Sequence, residues 1–150
     1  MDQIIKSAKE PPKLTSHSCN FPKKREQLKS WIKKNLLIQI PDQSICKNHN
    51  SPMDYLWHAY TADFSELHPV NQINGDCIVW ANRGGGKTML AGLVTLLEGV
   101  FKPNCQTRIL AGSMDQAGRM YGYLTDFANL LDEEIIDGTP KRTKCNFVKI

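Results

Sequence analysis

The amino-acid sequence predicts an α/β fold, a parallel sheet flanked by helices and preceded by a helical N-terminal extension. Three observations predict it. Short, nearly continuous apolar runs at residues 76–81 (DCIVWA), 107–111 (TRILA) and 145–150 (CNFVKI) have the texture of strands buried on both faces. Helically spaced apolar residues fill the intervals between those runs. The resulting order of strand, helix, strand, helix, strand requires right-handed crossovers between parallel neighbours.

Taken in order, residues 1–21 are polar, contain Pro11 and Pro12, and show no periodicity, which predicts a flexible arm. Residues 22–70 form a helical region. In PKKREQLKSWIKKNLL, Leu28, Trp31, Ile32 and Leu36 share one face with lysines around the rest, the pattern of a short amphipathic helix. Pro41 and Asp42 end the segment after it. A second helix starts at Ser51, which can cap, with Pro52 at the first helical position and Asp54 three residues after the cap. Met53, Leu56, Trp57, Tyr60 and Phe64 then recur at helical spacing as a core-facing stripe. A base contact by Trp57, Tyr60 or Phe64 is the competing reading of those aromatics.

Residues 71–150 form the predicted α/β part. After the run 76–81, Asn82 to Gly86 is a glycine turn. From Lys87 to Phe101 the stripe is Leu90, Leu93, Val94, Leu97 and Phe101. Pro103 and Asn104 turn the chain into the second run. Asp115 to Leu131 is helical again, with Ala117, Met120, Tyr121, Leu124, Phe127, Ala128 and Leu131 facing inward. The sheet is expected to be incomplete, because the chain stops at Ile150 in mid-strand.

Composition agrees with an ordinary soluble domain: 150 residues, 41% hydrophobic and 23% charged, with no low-complexity tract. No apolar run approaches the roughly 18 residues of a membrane span. The opening MDQIIKSAKEPPK lacks the apolar core of a signal peptide, so the expected location is the cytoplasm, that of the host cell if the protein is viral. A net charge of +4 permits a polyanionic partner without requiring one. Lys23, Lys24, Arg25, Lys29, Lys33 and Lys34 carry much of the excess, either as a solvated helix face or as a DNA contact. The five scattered cysteines are expected to be reduced thiols. His17-x-Cys19 and Cys46-x-x-His49 supply the residue types of a zinc quartet, but their spacings match no standard finger, and two unrelated loop pairs are the plainer reading.

The chemistry lies in Ala81-Asn-Arg-Gly-Gly-Gly-Lys-Thr88, between an apolar run and an amphipathic helix. A bound triphosphate brings about four negative charges, which need donors that can approach closely. Gly84, Gly85 and Gly86 let the backbone turn its N–H groups inward with no Cβ in the way. The helix that follows aims the positive end of its dipole at the same point. Lys87 then reaches the β- and γ-phosphates, and the Thr88 hydroxyl ligates Mg²⁺. This is a P-loop pattern, G-x-x-x-x-G-K-[ST], in which Ala81 replaces the first glycine. Asn82 and Arg83 complete the candidate nucleotide-binding segment. Arg83, four residues before Lys87, is either a charge stabiliser at the γ-phosphate or a solvent-facing loop arginine.

The combination VWANRGGGKT, an apolar helix and RILAGSMDQAGRMYGYL resembles the ATPase domain of tailed-phage terminase large subunits. Arg83 matches the arginine common in that family's deviant P-loop. Ala111, Gly112, Ser113 and Gln116 match the small-residue and Ser segment followed by a Gln-containing helix. CKNHNSPMD, residues 46–54, looks like the segment before the family's ATPase core, so the likeness covers about residues 45 to 125. For Gln116 and Arg119 the plain alternative is a helix surface.

The resemblance implies a P-loop NTPase-type parallel sheet, ATP with Mg²⁺ as ligand, and hydrolysis coupled to translocation of double-stranded DNA. It also implies a homo-oligomeric ring working beside a portal and a small terminase subunit. Lys87 and Arg83 are the catalytic candidates. A Walker B strand ending in Asp-Glu is the next expected part. The only candidate, Leu130-Leu131-Asp132-Glu133, follows a helical stripe and reads as a decoy. The chain is therefore expected to be truncated before Walker B, and as a fragment to bind ATP more readily than it hydrolyses it. Another P-loop NTPase such as a helicase, or a non-catalytic remnant, are the alternatives.

Overall fold

The computed structural model describes residues 21–62, 76–102 and 107–131. Four helices run through them: α1 (Arg25–Leu36), α2 (Pro52–Thr61), α3 (Lys87–Phe101) and α4 (Met114–Ala128).

Helix α1 buries Leu28, Ile32 and Leu36, one residue per turn, with Trp31 half-buried beside them. At its start, Gln27 Oε1 accepts from the backbone N–H groups of Lys23 (2.9 Å) and Lys24 (3.1 Å). Lys33 and Lys34 complement the dipole in the last turn. The helix stops at Leu37, which sits in the left-handed region at φ 56° with its side chain exposed.

Helix α2 opens on the capping box that its sequence predicts. Ser51 Oγ accepts from the Asp54 N–H at 3.2 Å, and Asp54 Oδ2 accepts from the Ser51 N–H at 2.6 Å. Met53, Leu56 and Tyr60 face fully inward, and Trp57 is half-buried against them. The buried Tyr60 hydroxyl donates to the Pro22 carbonyl oxygen at 3.2 Å, which ties α2 to the chain ahead of α1. Core packing is thus the role of Tyr60. Phe64 lies outside the described residues.

An ion-pair cluster joins the two helices. The Arg25 guanidinium donates to both Asp42 and Asp54, and Lys29 Nζ donates to Asp42 Oδ2 at 2.6 Å. Two cations of the N-terminal basic run are therefore committed to carboxylates of their own fold.

Helix α3 is the most apolar element and lies between α2 and α4. Leu90, Leu93, Val94, Leu96 and Leu97 are buried on it, and Phe101 packs edge-on against Trp31 (5.1 Å) and Tyr60 (5.7 Å). Against α4 the two backbones come close at Gly92. A Cβ there would meet Tyr123 Cβ at 2.9 Å and the Met120 carbonyl oxygen at 3.3 Å. Phe127, Ala128 and Leu131 close that side of the core, while Ala117, Met120, Tyr121 and Leu124 are half-buried. All four helices contribute to one hydrophobic cluster.

The P-loop NTPase-type parallel sheet expected from the sequence is not found. Among the described residues there is no strand, and the fold is helical. Residues 76–81 and 107–111 carry no ladder, and Ile78, Trp80 and Leu110 are 95%, 96% and 82% exposed. The third expected strand, 145–150, lies outside the described residues, as do residues 1–20 of the arm and the segment from Asp132 onward. A helix bonds to itself four residues away, so local spacing suffices to specify it. A strand exists only beside a second strand, and an apolar run does not carry that partner with it.

No helix among the described residues is long and apolar enough to cross a membrane.

Candidate functional site

The residues between Ala81 and Thr88 form a tight turn that feeds directly into α3. Gly84 and Gly86 sit at φ 82° and 75°, a conformation that costs an L-residue roughly 1–2 kcal/mol and glycine almost nothing. Gly85 has an ordinary φ but no room. A Cβ on it would stand 2.6 Å from Asn82 Oδ1 and 3.2 Å from the Asn82 carbonyl oxygen. Its N–H donates to that same carbonyl at 3.2 Å, which closes the turn. Each of the three glycines thus has its own reason to be glycine.

The turn delivers the chain to the start of α3, where the Gly86 carbonyl accepts the Leu90 N–H at 2.9 Å. The other three helices begin with a carboxylate in the first turn: Glu26, Asp54 and Asp115. In α2 and α4, Ser51 and Ser113 also cap with their hydroxyls. Helix α3 has neither an acidic residue in its first turn nor a side-chain cap. The positive end of its dipole is left for another acceptor.

Lys87 reaches back over the turn. Its Nζ donates to the carbonyl oxygens of Ala81 (2.6 Å) and Asn82 (2.7 Å). Asn82, Arg83 and Thr88 are exposed, Thr88 on the first turn of α3. Of the candidate residues, the fold therefore brings together Asn82, Gly84 to Gly86, Lys87 and Thr88 on one turn. Arg83 belongs to that turn too, but it is not on the wall of the cavity described next.

A cavity of about 560 Å³ opens beside the turn. Gly85 and Lys87 stand on its wall together with residues 77–81, the segment ahead of α2, and Tyr55 and His58 of α2. Burial pushes the Tyr55 phenol and the Cys77 thiol upward, Cys77 with a smaller push from Asp76, so both stay protonated at neutral pH. Sequence reasoning missed Tyr55 and His58. Their spacing of three residues was the available signal for a second helix face, but nothing local pairs that face with residues 77–81.

The glycine turn fits a phosphate through its backbone: Gly84 and Gly86 hold a left-handed conformation that favours glycine, and a Cβ on Gly85 would collide with Asn82. For Mg²⁺, Thr88 offers one exposed hydroxyl, and no cluster of three or more His, Cys, Asp or Glu occurs among the described residues. A magnesium ion here would be held by Thr88 together with the ligand's own oxygens.

The remaining candidates fare differently. Cys46 and His49 share an exposed turn, the His49 N–H donating to the Cys46 carbonyl at 3.1 Å, whereas His17 and Cys19 lie outside the described residues. Gln116 and Arg119 are exposed on α4, as the plainer reading has them. Leu130 and Leu131 continue the α4 terminus through turn hydrogen bonds to Phe127 and Ala128, while Asp132 and Glu133 fall outside. No protein-family model matches the chain, and neither a curated protein nor a solved structure matches it.

Proposed function

We propose that this chain binds ATP with Mg²⁺, seating the phosphates on the turn Asn82–Lys87 at the N-terminus of α3. One observation carries the proposal: a lysine and three glycines, two required by backbone conformation and one by lack of room, converge on a helix end that has no acid and no side-chain cap of its own. Lys87 would exchange its two carbonyl acceptors for phosphate oxygens, which offer it full negative charge. Thr88 would hold the Mg²⁺, and Arg83 is the candidate for charge at the γ-phosphate. The resemblance to terminase large subunits extends this binding to a larger role, ATP hydrolysis coupled to packaging of double-stranded DNA by a ring of subunits docked on a portal.

Isothermal titration of the 150-residue chain with Mg-ATP tests the binding. Saturable binding that is weakened at least tenfold by Lys87→Ala is the expected result. Equal affinity in the variant, or no binding by the wild type, would remove the proposal. The packaging role is checked separately, by DNA-stimulated phosphate release.

A further inference from the structure

We infer that the cavity beside the turn takes the nucleoside half of the bound nucleotide, with the base lying between Trp80 and the Tyr55–His58 face of α2. The inference rests on the phosphate cradle proposed above and adds to it a place for the rest of the ligand.

Size is the first ground. At about 560 Å³ the cavity falls within the ~300–1,000 Å³ typical of small-molecule sites, well beyond what a phosphate chain on the glycine turn would occupy. Continuity is the second. Gly85 and Lys87 line the same cavity as Tyr55, His58 and Trp80, so a ligand held by its phosphates at one end can extend into this space.

Charge sets the ligand's direction. Lys87 is the one Lys or Arg on the wall, and it stands at the turn end. The one carboxylate on the wall, Asp54, is already engaged by Arg25 and Ser51. A triphosphate is therefore drawn to the Lys87 end, and an uncharged ring meets no unpaired carboxylate at the other.

The aromatic groups supply the base contact. Trp80 is 96% exposed while it lines the cavity, so its indole face is available for stacking. Tyr55 is packed against the core by its other side, which holds its ring in place. Asn48 and Asn50 on the same wall offer amides to a base edge or a ribose. Helix α2 thereby becomes one wall of the ligand site.

The test compares two probes on the full chain, Mg-ATP and inorganic tripolyphosphate, against Trp80→Ala and His58→Ala. Trp80 contributes almost nothing to the buried core, so its removal leaves the fold in place, checked by circular dichroism. The expected result is a loss of ATP affinity of roughly tenfold in Trp80→Ala, a smaller loss in His58→Ala, and unchanged tripolyphosphate binding in both. ATP binding that is unaffected by both variants, or that falls only in step with tripolyphosphate, would overturn the inference and leave the cradle standing. Lys87→Ala binding both probes as tightly as the wild type would overturn the cradle instead.

Discussion

The ammonium of Lys87 donates to the carbonyl oxygen of Ala81 at 2.6 Å, closing a ring across the turn that the lysine itself follows. Ala81 stands where a P-loop usually has its first glycine, so the residue that departs from the pattern also anchors the lysine. The contact is exposed, and water can replace it at little cost. Lys87→Ala is therefore expected to leave thermal stability within about 0.5 kcal/mol of the wild type while removing ATP binding. A large drop in melting temperature would mean that the lysine holds the turn together rather than serving a ligand.

Gly92 and Gly99 lie on the same helix and should respond oppositely to alanine. At Gly92 a methyl would collide with Tyr123 Cβ and press on the α4 backbone, so Gly92→Ala should cost about 1–3 kcal/mol. At Gly99 nothing lies within 4 Å, so Gly99→Ala should stabilise by about 0.5–1 kcal/mol through helix propensity and a less flexible unfolded chain. Urea midpoints of the two variants check the packing of α3 on α4.

Asp42 should set part of the acid limb of stability. The hydrogen bonds from Lys29 and then Arg25 hold its carboxyl below the ordinary range near 4, and Arg25 with Ser51 does the same for Asp54. A carboxyl with a lowered folded value stabilises the fold above its unfolded value and loses that contribution as pH falls through the folded one. Asp42→Asn should accordingly melt below the wild type at pH 7, with the gap closing from about pH 4 downward. A gap that stays constant from pH 7 to pH 2 would show that the ion pairs contribute nothing.

Leu37 ends α1 in a left-handed conformation that a side chain resists, and that side chain is 82% exposed. Leu37→Gly relieves the backbone and gives up almost no burial. A gain of roughly 0.5–1 kcal/mol is expected, read as a raised urea midpoint at unchanged slope. A loss would mean that Leu37 covers something in solution.

Much of this molecule is legible in its sequence because the legible parts are local. The stripe Leu28, Ile32 and Leu36 is a matter of 3.6-residue spacing, and the Ser51–Asp54 box is a matter of two side chains three residues apart. The stripe of α3 and the glycine turn ahead of it are equally short-range. Helix α4 was legible in extent to within a few residues, yet four of its seven expected inward residues are only half-buried, since burial depends on what lies opposite.

The sequence by itself determined where the helices lie to within a few residues, the inward stripes Leu28, Ile32 and Leu36 of α1 and Leu90, Leu93, Val94 and Leu97 of α3, and that glycines would precede Lys87 at a helix end. Helix hydrogen bonds and caps join residues no more than a few positions apart, so the chain carries that information in its spacing. The tertiary structure decided the rest. Among the described residues it left DCIVWA and TRILA without a strand partner, where spacing alone had suggested a sheet, because a ladder depends on a distant segment. It turned Arg25 and Lys29 toward Asp42 and Asp54, committing to the fold two charges that the sequence alone read as a solvated helix face or a DNA contact. And it set Tyr55 and His58 of α2 across a cavity from Trp80 and Lys87, a juxtaposition between segments over twenty residues apart that only packing against a shared core produces.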